Sequence, residues 1–174
     1  MALWWNRPRE KSNGKIGLAL RKERYPLSNL LVLLPKNPEH SRLARIFIQS
    51  LQNAIGPEGR LSVRYIAMRR NLEFVDSSIN DRLITYSNEH INRWGLPYKS
   101  FLEIVFSSQP DAVIDLNLDF DPVSATIVQE SNAPMKIGFY TEESEKYFNI
   151  LIERKGSDYL EKGFRNIQQL LGLV

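Results

Sequence analysis

A small cluster of polar side chains, Asn117, Asp119 and Asp121, follows directly after a short apolar run at residues 112–116. Side chains at alternate positions face the same way, and carboxylates placed in this manner can bind sugar hydroxyls or a divalent ion. Asp121 precedes Pro122, which is better explained by a helix that has Asp121 as N-cap and proline at its first position. Asp119 alone offers too few ligands for magnesium, so no metal is expected. Asn117 and Asp119 are therefore candidates for binding a substrate.

Several other chemistries lack the residues that they need. The chain has no cysteine, and its two histidines, His40 and His90, are 50 residues apart, which disfavours a histidine-based metal site. Neither GxGxxG nor GxxxxGK[ST] follows the first apolar run, and Pro35 and Pro38 in that loop lack backbone donors. The GxSxG elbow is also missing. The sequence therefore predicts no nucleotide or other cofactor, and it gives no support to hydrolase chemistry.

Alternating strand and helix patterns predict an α/β domain. Apolar runs predict six strands, at residues 30–34, 61–68, 83–86, 112–116, 135–139 and 147–152. Helical spacing predicts helices near residues 43–54, 98–108, 123–128 and 159–171, the last of them capped by Ser157 or Asp158. This alternation is typical of a three-layer α/β/α sandwich with a mostly parallel, doubly wound (Rossmann-like) sheet of about six strands.

The expected strand order, 3-2-1-4-5-6, places the candidate site. Ligands on such sheets bind at the carboxyl ends of the strands where the order reverses, here between the first strand and the strand at residues 112–116. The loops at residues 35–41 and 117–121 follow those two strands. Lys36 and Asn37 in the first loop therefore join Asn117 and Asp119 as candidate substrate-binding residues.

The composition fits one soluble domain, because 43% of the 174 residues are hydrophobic and 25% are charged. We divide the chain into a basic aromatic N-terminal arm, residues 1–28, and a single Rossmann-like domain, residues 29–174. No segment approaches the roughly 18 uninterrupted apolar residues of a membrane span, and the N-terminus lacks the pattern of a signal peptide. A cytoplasmic location is therefore expected.

The arm combines aromatic and basic side chains, among them Trp4, Trp5, Arg7 and Arg9. A basic arm on a mildly acidic domain does not by itself predict nucleic-acid binding. Burial of the aromatic side chains favours an arm that docks on its own domain, on a second copy of the chain or on an anionic membrane surface. We favour a homodimer that exchanges arms, because the exchange buries the aromatic side chains twice.

The segment from residue 110 to residue 140 resembles the N-terminal domain of family 9 glycosyltransferases, best known as ADP-heptose:lipopolysaccharide heptosyltransferases. Members carry a DAVID or DLVID strand, a helix and an RIGF-like strand in that order. This chain has DAVID at residues 111–115, KIGF at residues 136–139 and a closing helix near residues 167–173. The resemblance implies an acceptor-side Rossmann-like domain, with the sugar nucleotide held mainly by a second, C-terminal domain that this chain is expected to lack.

The family's first loop carries an aspartate thought to act as general base on the acceptor hydroxyl. An ungapped match puts Glu39 and His40 where the family has Gly and Asp, so these two are the candidates for catalysis. The lost Gly-Asp pair favours a stand-alone, non-catalytic binding or accessory module rather than an enzyme. The alternative is half of a split or oligomeric glycosyltransferase, which transfers a hexose or heptose from a nucleotide-sugar donor to a glycolipid acceptor.

Overall fold

The computed structural model of the chain describes residues 27–56, 59–153 and 159–171. Its six strands are β1 (Asn29–Leu33), β2 (Ser62–Met68), β3 (Leu83–Tyr86), β4 (Ala112–Asp115), β5 (Met135–Phe139) and β6 (Ile150–Ile152). These strands form one sheet in the order β3-β2-β1-β4-β5-β6, and all five neighbouring pairs are parallel. The predicted strand order and fold class are therefore confirmed.

Within the described ranges, four α-helices cover the sheet: α1 (Ser41–Ile55), α2 (Lys99–Val105), α3 (Pro122–Glu130) and α4 (Tyr159–Leu170). The helix α3 begins as the sequence predicts, with Asp121 as N-cap and Pro122 in the first turn. Short 3-10 helices join the remaining elements, at Pro38–His40, Arg69–Phe74, Ser77–Arg82, Asn88–His90 and Ser144–Lys146.

Alternation along β1 divides the core into two layers. Leu30 and Val32 pack in one hydrophobic cluster with residues of α1 and α4, such as Phe47 and Ile167. Leu31 and Leu33 belong to a second cluster, together with residues of α2 and α3. Because both faces of the strand are buried, its sequence is apolar at every central position, and the sheet lies between two helical layers.

The sixth strand is shorter than the sequence predicts, since it begins at Ile150 rather than at residue 147. The chain is still in a turn there, in which the Phe148 N–H donates to the Ser144 carbonyl at 3.1 Å. The rings of Tyr147 and Phe148 pack against the second cluster instead of extending the sheet. Their high strand propensity is thus overridden by tertiary packing.

Two sequence predictions fall on parts of the chain that the structure does not describe. Residues 1–26 of the N-terminal arm lie outside the described ranges, and so do the proposed caps of the last helix, Ser157 and Asp158. Arm docking and this cap therefore stay predictions. Within the described ranges, no helix is long and apolar enough to cross a membrane.

Candidate functional site

The loops that follow β1 and β4 leave the sheet side by side. Leu33 is in register with Asp115, and the Leu116 N–H donates to the Leu33 carbonyl at 3.0 Å. Both loops then contribute to the lining of a common cleft of about 360 Å³ at the carboxyl ends of the strands, the first through residues 36–38 and His40 and the second through residues 117–122. The position is the one that the strand order predicts, and the volume suits a small molecule.

Asn117 connects the two loops. Its side-chain Oδ1 accepts the backbone N–H of Lys36 at 2.8 Å, while its Nδ2 donates to Asp115 Oδ1 at 2.7 Å and to Ser124 Oγ at 3.0 Å. One amide therefore joins the β1 loop, the end of β4 and the first turn of α3. Because both ends of the amide are in use, Asn117 shapes the cleft and has little hydrogen-bonding capacity left for a ligand.

An ion pair closes the same corner of the cleft. Lys36 Nζ lies 2.9 Å from Asp121 Oδ1, and the Asp121 side chain is only 5% exposed, against 37% for Lys36. The other oxygen of this carboxylate accepts the Ser124 N–H at 2.9 Å and so caps α3. Since removal of Lys36 would leave a buried carboxylate without its counter-ion, the lysine supports the site even before any ligand binds.

Asp115 lies beneath the cleft at the end of β4 and is buried. Burial raises the pKa of its carboxyl to about 7, although the two hydrogen bonds from Asn117 oppose this effect and the nearby charge of Asp121 adds to it. Burial also raises the pKa of Tyr86, and the charges of Asp121 and Asp115 raise it further while Arg70 lowers it. Burial therefore raises the pKa of a carboxyl group next to the cleft to about 7, although Asp115 is not itself one of the lining residues.

The sequence analysis missed two residues of the site, Arg70 and Asn71, which lie in the 3-10 helix that follows β2. Asn71 is buried and donates through Nδ2 to the carbonyls of Pro35 and Lys36, at 3.3 and 2.7 Å, so it fixes the β1 loop from the other side. Arg70 lines the cleft. The sequence could have predicted their position. They directly follow β2, which pairs with β1, so they must lie at the same edge of the sheet.

The predicted site residues are brought together with one exception. Lys36, Asn37, Asn117 and Asp119 all line the cleft, as does His40. Glu39 does not line it, and its backbone N–H is bound by the Asn37 side chain at 3.0 Å. Asp119 is exposed, and its carboxylate has no hydrogen bond or ion pair within the described ranges.

A metal ion has no obvious place in this arrangement. No group of three or more histidine, aspartate and glutamate side chains converges in the part of the chain that the structure describes. Asp121 instead caps a helix and pairs with Lys36, and Asp115 beside the cleft accepts a hydrogen bond from Asn117.

The described part of the chain is a Rossmann-like α/β domain with a cleft at the carboxyl ends of β1 and β4. Comparisons with protein-family models, with curated proteins and with solved structures found no match.

Proposed function

We propose that this chain is a non-catalytic binding module, related to the N-terminal domain of family 9 glycosyltransferases, whose cleft binds a small hydroxyl-rich molecule such as a sugar. The observation that carries the proposal is the cleft itself, which combines unpaired polar side chains with an exposed aromatic ring. Asp119 and Arg70 offer an acceptor and donors, and Phe120 offers an apolar face. A sugar has matching hydroxyls and C–H faces.

The charges of the cleft favour a ligand without net charge. Lys36 is paired with Asp121, and the remaining charged residues of the lining, Arg70 and Asp119, have opposite signs. Asp119 would repel a strongly anionic ligand, and Arg70 would repel a strongly cationic one. A neutral polyol can donate to Asp119 and accept from Arg70 at the same time.

The lining also argues against donor-nucleotide binding and against catalysis. Pro35 and Pro38 remove backbone N–H groups from the loop where a phosphate would need them. The Asp121 carboxylate is occupied by the cap and by Lys36, and Glu39 does not line the cleft. These features leave no carboxylate pair arranged for acid–base chemistry in the described part of the cleft.

The family relationship is supported by the order and packing of the motif. DAVID ends in β4, α3 follows it, and KIGF forms β5, which is the succession that the resemblance implies. The glycine of KIGF has a physical role here, because a Cβ on Gly138 would meet the Phe148 ring at 2.7 Å.

Calorimetry with the full chain tests the binding proposal. We expect saturable binding of one or more neutral monosaccharides from a panel, with nucleotide sugars bound no more tightly than the corresponding free sugars. Asp119→Ala should weaken that binding at least about tenfold through loss of charge-assisted hydrogen bonds. Asp81→Ala, which removes another exposed carboxylate that does not line the cleft, is the matched control. Nucleotide sugars that bind with micromolar affinity where free sugars do not would contradict the proposal.

One observation favours the alternative, half of a split glycosyltransferase. Burial raises the pKa of the Asp115 carboxyl to about 7, in the range that a general base needs at neutral pH, and Asp115 adjoins the cleft through Asn117 without lining it. The test is a transfer assay in which this chain is combined with a separately encoded donor domain, where one exists. Transfer that Asp115→Asn abolishes, while sugar binding by the same variant is retained, would favour the enzyme over the binding module.

A further inference from the structure

Exposed apolar side chains follow the carboxyl ends of three strands of the sheet. Leu72 comes after β2, Phe120 after β4 and Tyr140 after β5, and they are 38%, 39% and 44% exposed. Single exposed apolar residues are common, but a row of them along one edge is typical of an interaction surface. We call this edge, from residues 69–72 to residues 140–143 across the cleft, the carboxyl rim.

The charges of the carboxyl rim are distributed by side. Within residues 69–72, Arg69 and Arg70 are exposed and basic, and the exposed acidic Glu73 follows them. Asp119, Glu142 and Glu143 are exposed on the side of β4 and β5, and the exposed basic Lys146 follows that side three residues further along. The rim is therefore predominantly basic at one end and acidic at the other, with the cleft between the two ends.

We propose that the carboxyl rim binds the carboxyl rim of a second copy of this chain. A two-fold axis through the cleft would place the basic end of each copy against the acidic end of the other, so the charge attraction occurs twice. The same rotation brings Leu72 towards the partner's Phe120 and Tyr140, which buries the apolar side chains of both copies. A second copy carries both charge signs in the arrangement that matches the rim. A partner surface with only one charge sign would match only one end of it.

The size of the rim decides what kind of dimer this is. Three strand spacings separate β2 from β5, so the rim is about 14 Å wide. A helical layer on each face makes it roughly 20 Å deep. Such a footprint corresponds to the small end of specific interfaces, below about 1,200 Å² of total buried surface. The dimer should therefore form reversibly and depend on protein concentration.

Dimerisation would also cover the cleft, because Phe120 and Arg70 belong both to the cleft lining and to the rim. The inference does not rest on the proposed function, since the rim is defined by exposure and charge alone. Each can fail without the other, because association is measured without ligand and sugar binding is measured at concentrations where the chain is monomeric.

Sedimentation velocity of the full chain over a wide concentration range tests the proposal. We expect wild-type chains to dimerise, and the charge-reversed pairs Arg69→Glu with Arg70→Glu, and Glu142→Lys with Glu143→Lys, each to dimerise at least about tenfold more weakly. An equimolar mixture of the two variants should recover the dimer, because both contacts of the mixed pair again join opposite charges. That recovery also shows that both variants are folded.

The matched control reverses two exposed carboxylates on helices away from the rim, Glu103→Lys with Glu130→Lys, and should dimerise as the wild type does. Three results would overturn the proposal: a wild-type chain that is monomeric throughout, charge-reversed variants that dimerise as tightly as the wild type, or a mixture that stays monomeric. The second of these results is the one expected if the dimer forms through exchange of the N-terminal arms.

Discussion

Asn117 Oδ1 and the backbone nitrogen of Lys36 are joined by a hydrogen bond of 2.8 Å, although the two residues are 81 positions apart in the chain. The same amide donates to Asp115, so a single side chain couples the β1 loop to the end of β4. These two loops form facing walls of the cleft. The shape of the site therefore depends on the hydrogen bonds of Asn117.

Asn117→Ala should lower the free energy of unfolding by about 2–3 kcal/mol, because it removes three side-chain hydrogen bonds, one of which the buried Asp115 accepts. The backbone N–H of residue 117 continues to donate to Asp115. Urea unfolding of the two proteins measures the difference. The control is Asn80→Ala, an exposed asparagine in a 3-10 helix, which should change the value by less than about 0.5 kcal/mol. If both variants lose the same free energy of unfolding, the hydrogen bonds of Asn117 do not stabilise the fold.

Asp115 predicts the direction in which stability changes with pH. Burial raises the pKa of its carboxyl from 3.8 to about 7, so between these values the folded chain keeps a proton that the unfolded chain has lost. The contribution of Asp115 to stability is therefore full below pH 3.8 and is lost as the pH rises to about 7.

Asp115→Asn should remove most of this dependence and should stabilise the chain relative to wild type above pH 7, by an amount on the order of 2–4 kcal/mol. The measurement is the free energy of unfolding at a series of pH values for both chains. The amide oxygen of the variant can still accept both hydrogen bonds from Asn117. A wild-type stability that rises from pH 5 to pH 7 in step with the variant would contradict the assigned pKa of about 7.

Gly138→Ala should destabilise the fold by about 1–3 kcal/mol, because the added Cβ would meet three atoms of the Phe148 ring at 2.7 to 2.9 Å. A double-mutant cycle with Phe148→Leu separates this clash from a general effect of the substitution. In the Phe148→Leu background the cost of Gly138→Ala should fall, since the smaller side chain vacates part of the space. If the destabilising effects of Gly138→Ala and Phe148→Leu simply add, the Phe148 ring is not the reason that residue 138 must be glycine.

The order of the sheet could be predicted from the sequence because its strands are buried on both faces. Such strands are short apolar runs, as in β1 and β4, and a parallel sheet with crossovers allows few arrangements of them. The start of α3 could also be predicted, because an aspartate N-cap followed by proline, Asp121 and Pro122, is a local signal for a helix start. The start of β6 could not be predicted in this way. Tyr147 and Phe148 have high strand propensity, but their side chains pack against the second cluster.

The site was predictable in place but not in detail. Strand order alone brings Lys36, Asn37, Asn117 and Asp119 to one cleft. The contribution of Asn71 depends on a 3-10 helix without a hydrophobic period, where the sequence indicated only a connection. The raised pKa of Asp115 depends on how far the carboxyl is buried, which no local pattern encodes.

Binding of a small hydroxyl-rich molecule in the cleft can be observed by NMR of the isotopically labelled full chain during titration with neutral monosaccharides. We predict saturable shifts of the backbone amides of Lys36, Asn37, Leu118 and Asp119, and loss of these shifts in Asp119→Ala. Amides at the opposite edge of the sheet, such as those of Asn29 and Asp111, should not move. Sugar binding in the cleft is contradicted if no sugar in the panel shifts the cleft amides. It is also contradicted if the shifts occur at the opposite edge of the sheet and persist in Asp119→Ala.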